Sequence, residues 1–333
     1  MIEYSRGNDV DRLSRLENPI RIKVTGKCNR KCFFCHKEGG MEIDSLVYTD
    51  ELKRLLEILS DRLGIHAIAI TGGEPLLYNN LEELMKKLIK CRGIDKFSIT
   101  TNGTIIKEKN FWKELKRIGL YKVNISMPDI LNISDENQIL THENKMQNTV
   151  FARQLQTIEI LNELGITVKI NVAIINDLLY TTSVLENLLS IKSLKFDIVL
   201  LPNISSNQTF LYSQNIIQEL CSKMDFRLVG IRTRENTSDS IMVYQNNVGQ
   251  KIFIKTTKLS GVPYMLHSMC SNCEIKEKCQ EGFYGLRLEQ VDGKYFIRLC
   301  IHKSSESVLY SIDDFISSNV FQELEENWRM EKV

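Results

Sequence analysis

The sequence predicts an α/β fold, a partial (β/α)6 barrel of the TIM-like kind with a small cysteine-rich C-terminal extension. Three observations lead there. Short β-branched runs alternate with amphipathic helical stretches from residue 20 to about residue 201, the pattern of βα units around a parallel sheet. The distinctive residues, among them a cysteine triad and a Gly-Gly pair, fall at the C-terminal ends of those runs, where barrels of this kind keep their chemistry. The chain has 333 residues and is 43% hydrophobic, enough for one large core and an appendage.

Taken in order, strands are expected at Arg21–Thr25, Ala67–Thr71, Lys96–Thr101, Lys122–Ser126, Thr167–Ala173 and Asp197–Leu201. The helices between them begin near Thr49, Leu81, Asn110, Thr149 and Thr182; Leu52, Leu55, Leu56 and Leu59, for instance, form one apolar stripe at helical spacing. From Pro202 to about Ser240 the chain is polar and rich in Asn and Ser, which reads as a connecting segment. Ile241–Tyr244 and Lys251–Lys255, joined through Asn246-Asn-Val-Gly249, read as a hairpin. Phe315, Val320, Phe321 and Leu324 place one closing helix over Ser311–Met330. The expected organisation is an arm over residues 1–17, a core barrel over 18–203, a connecting, hairpin and cysteine-rich region over 204–310, and a C-terminal helix over 311–333.

With 43 basic and 42 acidic residues the net charge is +1, and no long single-sign run exists, so neither nucleic acid nor an anionic membrane is an expected partner. Met1 to Glu17 is polar and charged, unlike a secretory signal, and no apolar stretch approaches the roughly 18 residues of a membrane span. A cytoplasmic protein is expected. Seven of the nine cysteines fall in two groups, which suits metal–sulfur binding in a reducing compartment better than disulfides. Cys91 and Cys221 stand apart in helical runs and read as small buried hydrophobes.

The first group is Cys28, Cys32 and Cys35, spaced C-x3-C-x2-C after the first core strand. A [4Fe–4S] cluster takes four ligands, usually Cys thiolates, so three leave one iron open to a small molecule. His36 would instead close a Cys3His zinc site, although zinc modules usually separate their ligands into two pairs. Thr71-Gly-Gly-Glu-Pro75 follows the second strand; glycines at a barrel rim let backbone approach a ligand closely, or make a tight turn. Phe34 either packs on a flat ligand or shields a cluster from solvent. Pro128–Asn148, long and polar after the fourth strand, is placed to act as a lid.

C-x3-C-x2-C followed by Gly-Gly-Glu-Pro after the next strand resembles the radical S-adenosylmethionine (radical SAM) superfamily. Within it the chain is similar to the MoaA family of GTP 3′,8-cyclases. That similarity runs from about Asn18 to His302 through Pro19-Ile-Arg-Ile-Lys-Val-Thr25, Ile70-Thr-Gly-Gly-Glu-Pro-Leu-Leu77, Thr100-Thr-Asn-Gly103, Val123-Asn-Ile-Ser126 and Gly165-Ile-Thr-Val-Lys-Ile-Asn171. The resemblance implies S-adenosylmethionine (AdoMet) bound at the open iron, an electron donor such as flavodoxin or ferredoxin, and a 5′-deoxyadenosyl radical that abstracts a substrate hydrogen. It places Phe34, Gly72, Gly73, Glu74, Asn102, Ser126 and Asn171 around AdoMet, with Gly73 and Ser126 in contact and Phe34 where relatives have a tyrosine. Arg21, Thr100 and Lys169 match positions that hold GTP, with Arg287 a further candidate for phosphate; all read equally as polar strand residues. No residue is singled out as catalytic.

The second group, Cys270-Ser-Asn-Cys273, Cys279 and Cys300, resembles the auxiliary-cluster region of the same family and the twitch and SPASM extensions of its relatives. Four cysteines would ligate a second [4Fe–4S] cluster fully, or hold zinc. Ala69, Ile275 and Glu277 stand where the family has basic residues, Asp197 stands where it has Arg, and its terminal Gly-Gly is absent. Triphosphate recognition needs several charge-assisted contacts, so the expected substrate is a small molecule or peptide other than GTP. GTP cyclisation is the alternative, and a non-catalytic zinc or electron-transfer protein a third reading.

Overall fold

Thirteen strands form one sheet among the residues that the computed structural model describes, which are 12–15, 19–32, 35, 45–127, 150–174, 177–204, 207–233, 237–256, 265–302 and 308–330. The expectations for Phe34, His36 and the lid Pro128–Asn148 lie outside these residues. In chain order the strands are β1 Arg12–Arg15, β2 Ile20–Lys23, β3 Ala67–Thr71, β4 Lys96–Thr101, β5 Leu120–Ser126, β6 Thr167–Ala173, β7 Asp197–Leu201, β8 Arg227–Thr233, β9 Ser240–Gln245, β10 Lys251–Thr256, β11 Arg287–Val291, β12 Lys294–Arg298 and β13 Leu309–Ser311. The helices are α1 Asp50–Leu63, α2 Leu81–Leu88, α3 Lys109–Ile118, α4 Val150–Glu163, α5 Leu178–Ser190, α6 Asn207–Lys223, α7 His267–Cys270, α8 Ile312–Ser317 and α9 Asn319–Met330.

The sheet order is β1-β8-β9-β10-β7-β6-β5-β4-β3-β2-β11-β12-β13. Its six central strands are the expected ones, all parallel. Strand β10 adds to β7 and β11 adds to β2, both also in parallel. The fold is thus a mixed α/β partial barrel, as expected, and its sheet continues on both sides into strands from the region expected to be an extension.

Alternation sorts the residues between two faces. Ile20, Ile22, Ile68, Ile70, Val123 and Ile125 are buried in the main core together with the helix stripes. The opposite, inner face carries Arg21, Lys23, Thr100, Asn124 and Lys169, and its apolar part is a small cluster of Val199, Ile241, Val243 and Phe253. Helix α1 starts where Thr49 accepts the Leu52 amide, with Asp50 and Glu51 favourable in the first turn. Helix α5 starts at Leu178, ahead of the expected Thr182, because Asp177 accepts the Tyr180 amide at 2.8 Å and caps it there.

Two expectations are corrected. The polar stretch from Pro202 to Ser240 contains α6 and β8: Phe210, Ile216, Ile217 and Leu220 are buried at helical spacing, so periodicity prevails over composition. The closing helix is two helices, because the Ser318 backbone is extended and its hydroxyl accepts the Phe321 amide at 3.1 Å, ending α8 and starting α9.

Candidate functional site

The Gly-Gly-Glu turn after β3 is clamped to the chain that leads into the first cysteine group. The Gly73 amide donates to the Thr25 carbonyl and the Glu74 amide to the Lys27 carbonyl, both at 2.7 Å. A Cβ on Gly72 would meet the Thr25 carbonyl oxygen at 2.6 Å, and one on Gly73 would meet those of Lys27 and Gly26 at 2.3 and 2.6 Å. The glycines therefore serve first the close passage of two backbone segments, one residue before Cys28.

The carboxylate of Glu74, a residue expected beside the cofactor, is held by the protein itself. Glu74 is 0% exposed, and its carboxylate accepts from the Thr101 hydroxyl at 2.6 Å, the Asn102 amide at 2.7 Å and the Leu76 amide at 3.0 Å. Its carbonyl accepts the Leu77 amide. Burial pushes its carboxyl pKa up against these donors. Glu74 is thus a positioning residue that joins the ends of β3 and β4.

The expected rim residues come together. The Asn102 side chain donates to Asn29, inside the cysteine loop, at 2.9 Å; Asn29 in turn donates to Thr104 at 2.9 Å. Gln154 on α4, only 2% exposed, donates to the carbonyls of Asn102 at 2.7 Å and Ser126 at 3.1 Å. The Met127 amide donates to the Asn171 carbonyl at 2.9 Å. The C-terminal ends of β2 to β6 are stitched into one polar rim around the loop, and Asn29 and Gln154 were not singled out in the sequence. Within the loop, the Cys35 amide bonds the Cys32 carbonyl at 3.1 Å, and the Arg30 amide donates to Cys28 Sγ at 3.4 Å. Cys28 and Cys35 are exposed and Cys32 is half-buried.

The four expected substrate residues lie on the inner face in two places. Arg21 and Arg287 are register partners on β2 and β11. Thr100, Asn124, Lys169 and Asp197 stand in one row across β4 to β7, with Asn124 donating to Thr100 at 3.3 Å. Beside them two aromatic rings are flanked by cations. Phe253 has Arg232 at 5.1 Å and Lys169 at 5.8 Å from its centroid; Tyr284 has Lys255 at 3.7 Å and Arg287 at 5.5 Å. The Tyr284 hydroxyl donates to Asp239 at 2.9 Å. Arg232, Lys255 and Asp239 were missed; the alternation Lys251, Phe253, Lys255 on one face of a strand was the available signal.

Cys270, Cys273, Cys279 and Cys300 line one cavity of about 220 Å³, shared with Met265, Met269 and Tyr310. That is many times the ~10–15 Å³ that admits one water. Among the described residues no three ligating groups close around a single ion. The Cys273 amide bonds the Cys270 carbonyl at 3.1 Å, repeating the turn of Cys32 and Cys35, and the Gly282 amide donates to Cys279 Sγ at 3.2 Å. Burial, with the neighbouring Cys279, Cys273 and Cys300 adding, pushes the Cys270 thiol up to about 11. Glu323 of α9 accepts the His267 and Ser268 amides at 2.7 and 2.8 Å, capping α7, the helix that ends at Cys270. Three sulfurs on an open loop and four around a cavity are donor sets suited to iron–sulfur clusters.

The chain is 35% identical over 170 residues to GTP 3′,8-cyclase of Aquifex aeolicus (strain VF5), covering 50% of each protein. It is 43% identical over 111 residues to the probable GTP 3′,8-cyclase of Sulfolobus acidocaldarius, covering 33% of this chain and 34% of that protein. The chain thus spans half or less of the length of these curated relatives. The solved structure of native anSMEcpe with bound AdoMet and Kp18Cys peptide aligns over 92% of this chain and 82% of that one, with a TM-score of 0.53 at 15% identity, a likeness of fold. The family model of the radical SAM superfamily matches residues 22–180, the segment that contains the cysteine loop, the Gly-Gly-Glu clamp and the stitched rim, and this segment belongs to the radical SAM superfamily.

Proposed function

We propose that the protein cleaves AdoMet reductively at a [4Fe–4S] cluster held by Cys28, Cys32 and Cys35, and uses the radical to abstract hydrogen from a small-molecule or peptide substrate at the inner face. The observation behind this reading is the three-cysteine loop, clamped by Gly72, Gly73 and Glu74 and ringed by Asn102, Ser126 and Asn171. When bound, such a cluster supplies an open iron for the AdoMet amino and carboxylate groups and the electron that breaks its sulfonium. The chain's own part is to fix the loop through Asn29 and to offer polar rim groups to AdoMet. The wide cavity lined by Cys270, Cys273, Cys279 and Cys300 supports a second cluster over a single zinc ion. A low-potential donor such as flavodoxin or ferredoxin would reduce the first.

Anaerobic reconstitution with iron and sulfide, then AdoMet and a strong reductant, tests the reading. 5′-Deoxyadenosine and about eight irons per chain are expected. No 5′-deoxyadenosine overturns the function; about four irons removes the second cluster.

A second reading, GTP cyclisation, draws support from the names of the relatives at 35% and 43% identity. Against it, Ile275 is an apolar wall of the cysteine cavity, and Asp197 is the register partner of Lys169. A GTP-dependent rise in 5′-deoxyadenosine together with a cyclised nucleotide would establish it, and the absence of both would end it.

A further inference from the structure

Two cations outside the matched segment stand in one layer of the inner face. Arg232 on β8 and Lys255 on β10 are both register partners of Ile241 on β9. Their backbones are therefore two strand spacings apart, about 10 Å, a gap that two long side chains span from either side. Buried Ile241 lies between them, and Phe253 and Val243 form the next layer.

Each cation has a different surrounding. The Arg232 guanidinium rests on the Phe253 ring, and its buried Nε has no hydrogen-bond partner. A ring face is a weak counter-charge and cannot accept an N–H that lies in the guanidinium plane. The Lys255 ammonium lies over Tyr284 and hydrogen-bonds with its side chain, whose hydroxyl donates in turn to Asp239. Burial opposes the charge on Lys255, but Tyr284, Asp239 and Glu281 together outweigh it and hold its pKa above the ordinary lysine range. Lys169 and Arg287 approach the same two rings, at 5.8 and 5.5 Å from the Phe253 and Tyr284 centroids.

A guanidinium offers a planar fork of donors that matches two oxygens of one carboxylate or phosphate, and an ammonium adds a point charge to the same group. We propose that Arg232 and Lys255 form an anion subsite that takes a carboxylate or phosphate group of the substrate. The inference rests on the proposed function for the location of the reacting end of that substrate, and it names the substrate as anionic.

The test is calorimetric titration of the full-length, reconstituted protein with two probes, pyrophosphate and succinate. At least one should bind, more weakly as salt is added, and binding should weaken about tenfold in Arg232→Gln and in Lys255→Gln. Lys255→Arg and Arg232→Lys, which keep the charge, should retain most of the affinity, showing that the losses do not come from a damaged fold. Pyrophosphate alone binding assigns the subsite to phosphate, and succinate alone to carboxylate. The inference is overturned if neither probe binds the wild-type protein, or if the Arg232→Gln/Lys255→Gln double variant binds as tightly as wild type. 5′-Deoxyadenosine formation, measured on the wild-type protein without probe, reports on the proposed function separately: cleavage without probe binding sinks the subsite alone, and probe binding without cleavage sinks the function alone.

Discussion

The two cysteine groups are held in opposite ways. In the first, Cys28 and Cys35 are exposed on a loop whose position is set from outside, by the Gly-Gly-Glu turn after β3 and the Asn102–Thr104 turn after β4. In the second, Cys270 is buried and its neighbours half-buried around a cavity, set by their own short turns and a cap from α9. An exposed loop leaves a face open for a second molecule, and external clamps keep it in place at little cost to that access. An enclosed set gives up access for a shielded environment, which suits a group that exchanges electrons rather than ligands.

The largest effect separates the groups outright. Cys32→Ala should reduce 5′-deoxyadenosine to background and remove about four irons, whereas Cys273→Ala should remove the other four and keep AdoMet cleavage without substrate; iron analysis and product chromatography read both. Next is the outside clamp. Gly73→Ala drives a Cβ into two carbonyl oxygens, and a cost of about 1–3 kcal/mol is expected, with AdoMet cleavage at least tenfold lower, measured by thermal melting and turnover; the second group should keep its iron.

Glu323 tests the inside cap. Glu323→Ala leaves two amides of α7 without their acceptor, at about 1–3 kcal/mol, and should deplete iron from the second group only. The two carboxylates also differ in sign with pH. Burial works against the Glu323 charge, but the hydrogen bonds from Ser268 and His267 prevail and lower its pKa. Its contribution to stability is therefore present above about pH 4.3, the unfolded value, and is lost as pH falls through the lower folded value. Glu74 is raised by burial, so its contribution is greatest at low pH and declines as pH rises from about 4.3 through the folded value. Denaturation curves across pH for wild type, Glu323→Gln and Glu74→Gln should show the two slopes disappear separately.

The smallest effect concerns the cysteines outside both groups. Cys221 is buried and its thiol is pushed up to about 12 by that burial. It should stay unalkylated at pH 8 in native protein, as mass spectrometry will show, while Cys28 of the cluster-free protein is modified.

The central strands and the start of most helices were legible because their apolar period is strong and local. Helix α6 was not, since its buried Phe210, Ile216, Ile217 and Leu220 are diluted by Asn, Gln and Ser that face outward. The cysteine groups stood out by their spacing, and the rim residues Asn102, Ser126 and Asn171 by the family resemblance. The duty of Glu74 was not legible, because a Glu at a rim reads as a ligand until Thr101 and Asn102 are seen to enclose it. Lys255 left only the alternation Lys251, Phe253, Lys255 as a signal and Arg232 left none: it takes the antiparallel pairing of β8, β9 and β10, with β10 laid parallel on β7, to bring Arg232 and Lys169 to one Phe253 ring.

Strand β2 pairs with β3 on one side and with β11 on the other, so the run leading to the first cysteines hydrogen-bonds to a strand from near the end of the chain. During synthesis that edge of β2 waits, unpaired, until β11 has left the ribosome. Such late closure slows folding and exposes an open strand edge to wrong partners. A chain shortened after β7 would keep both open edges permanently, at β2 and at β7, and should aggregate rather than yield a soluble half.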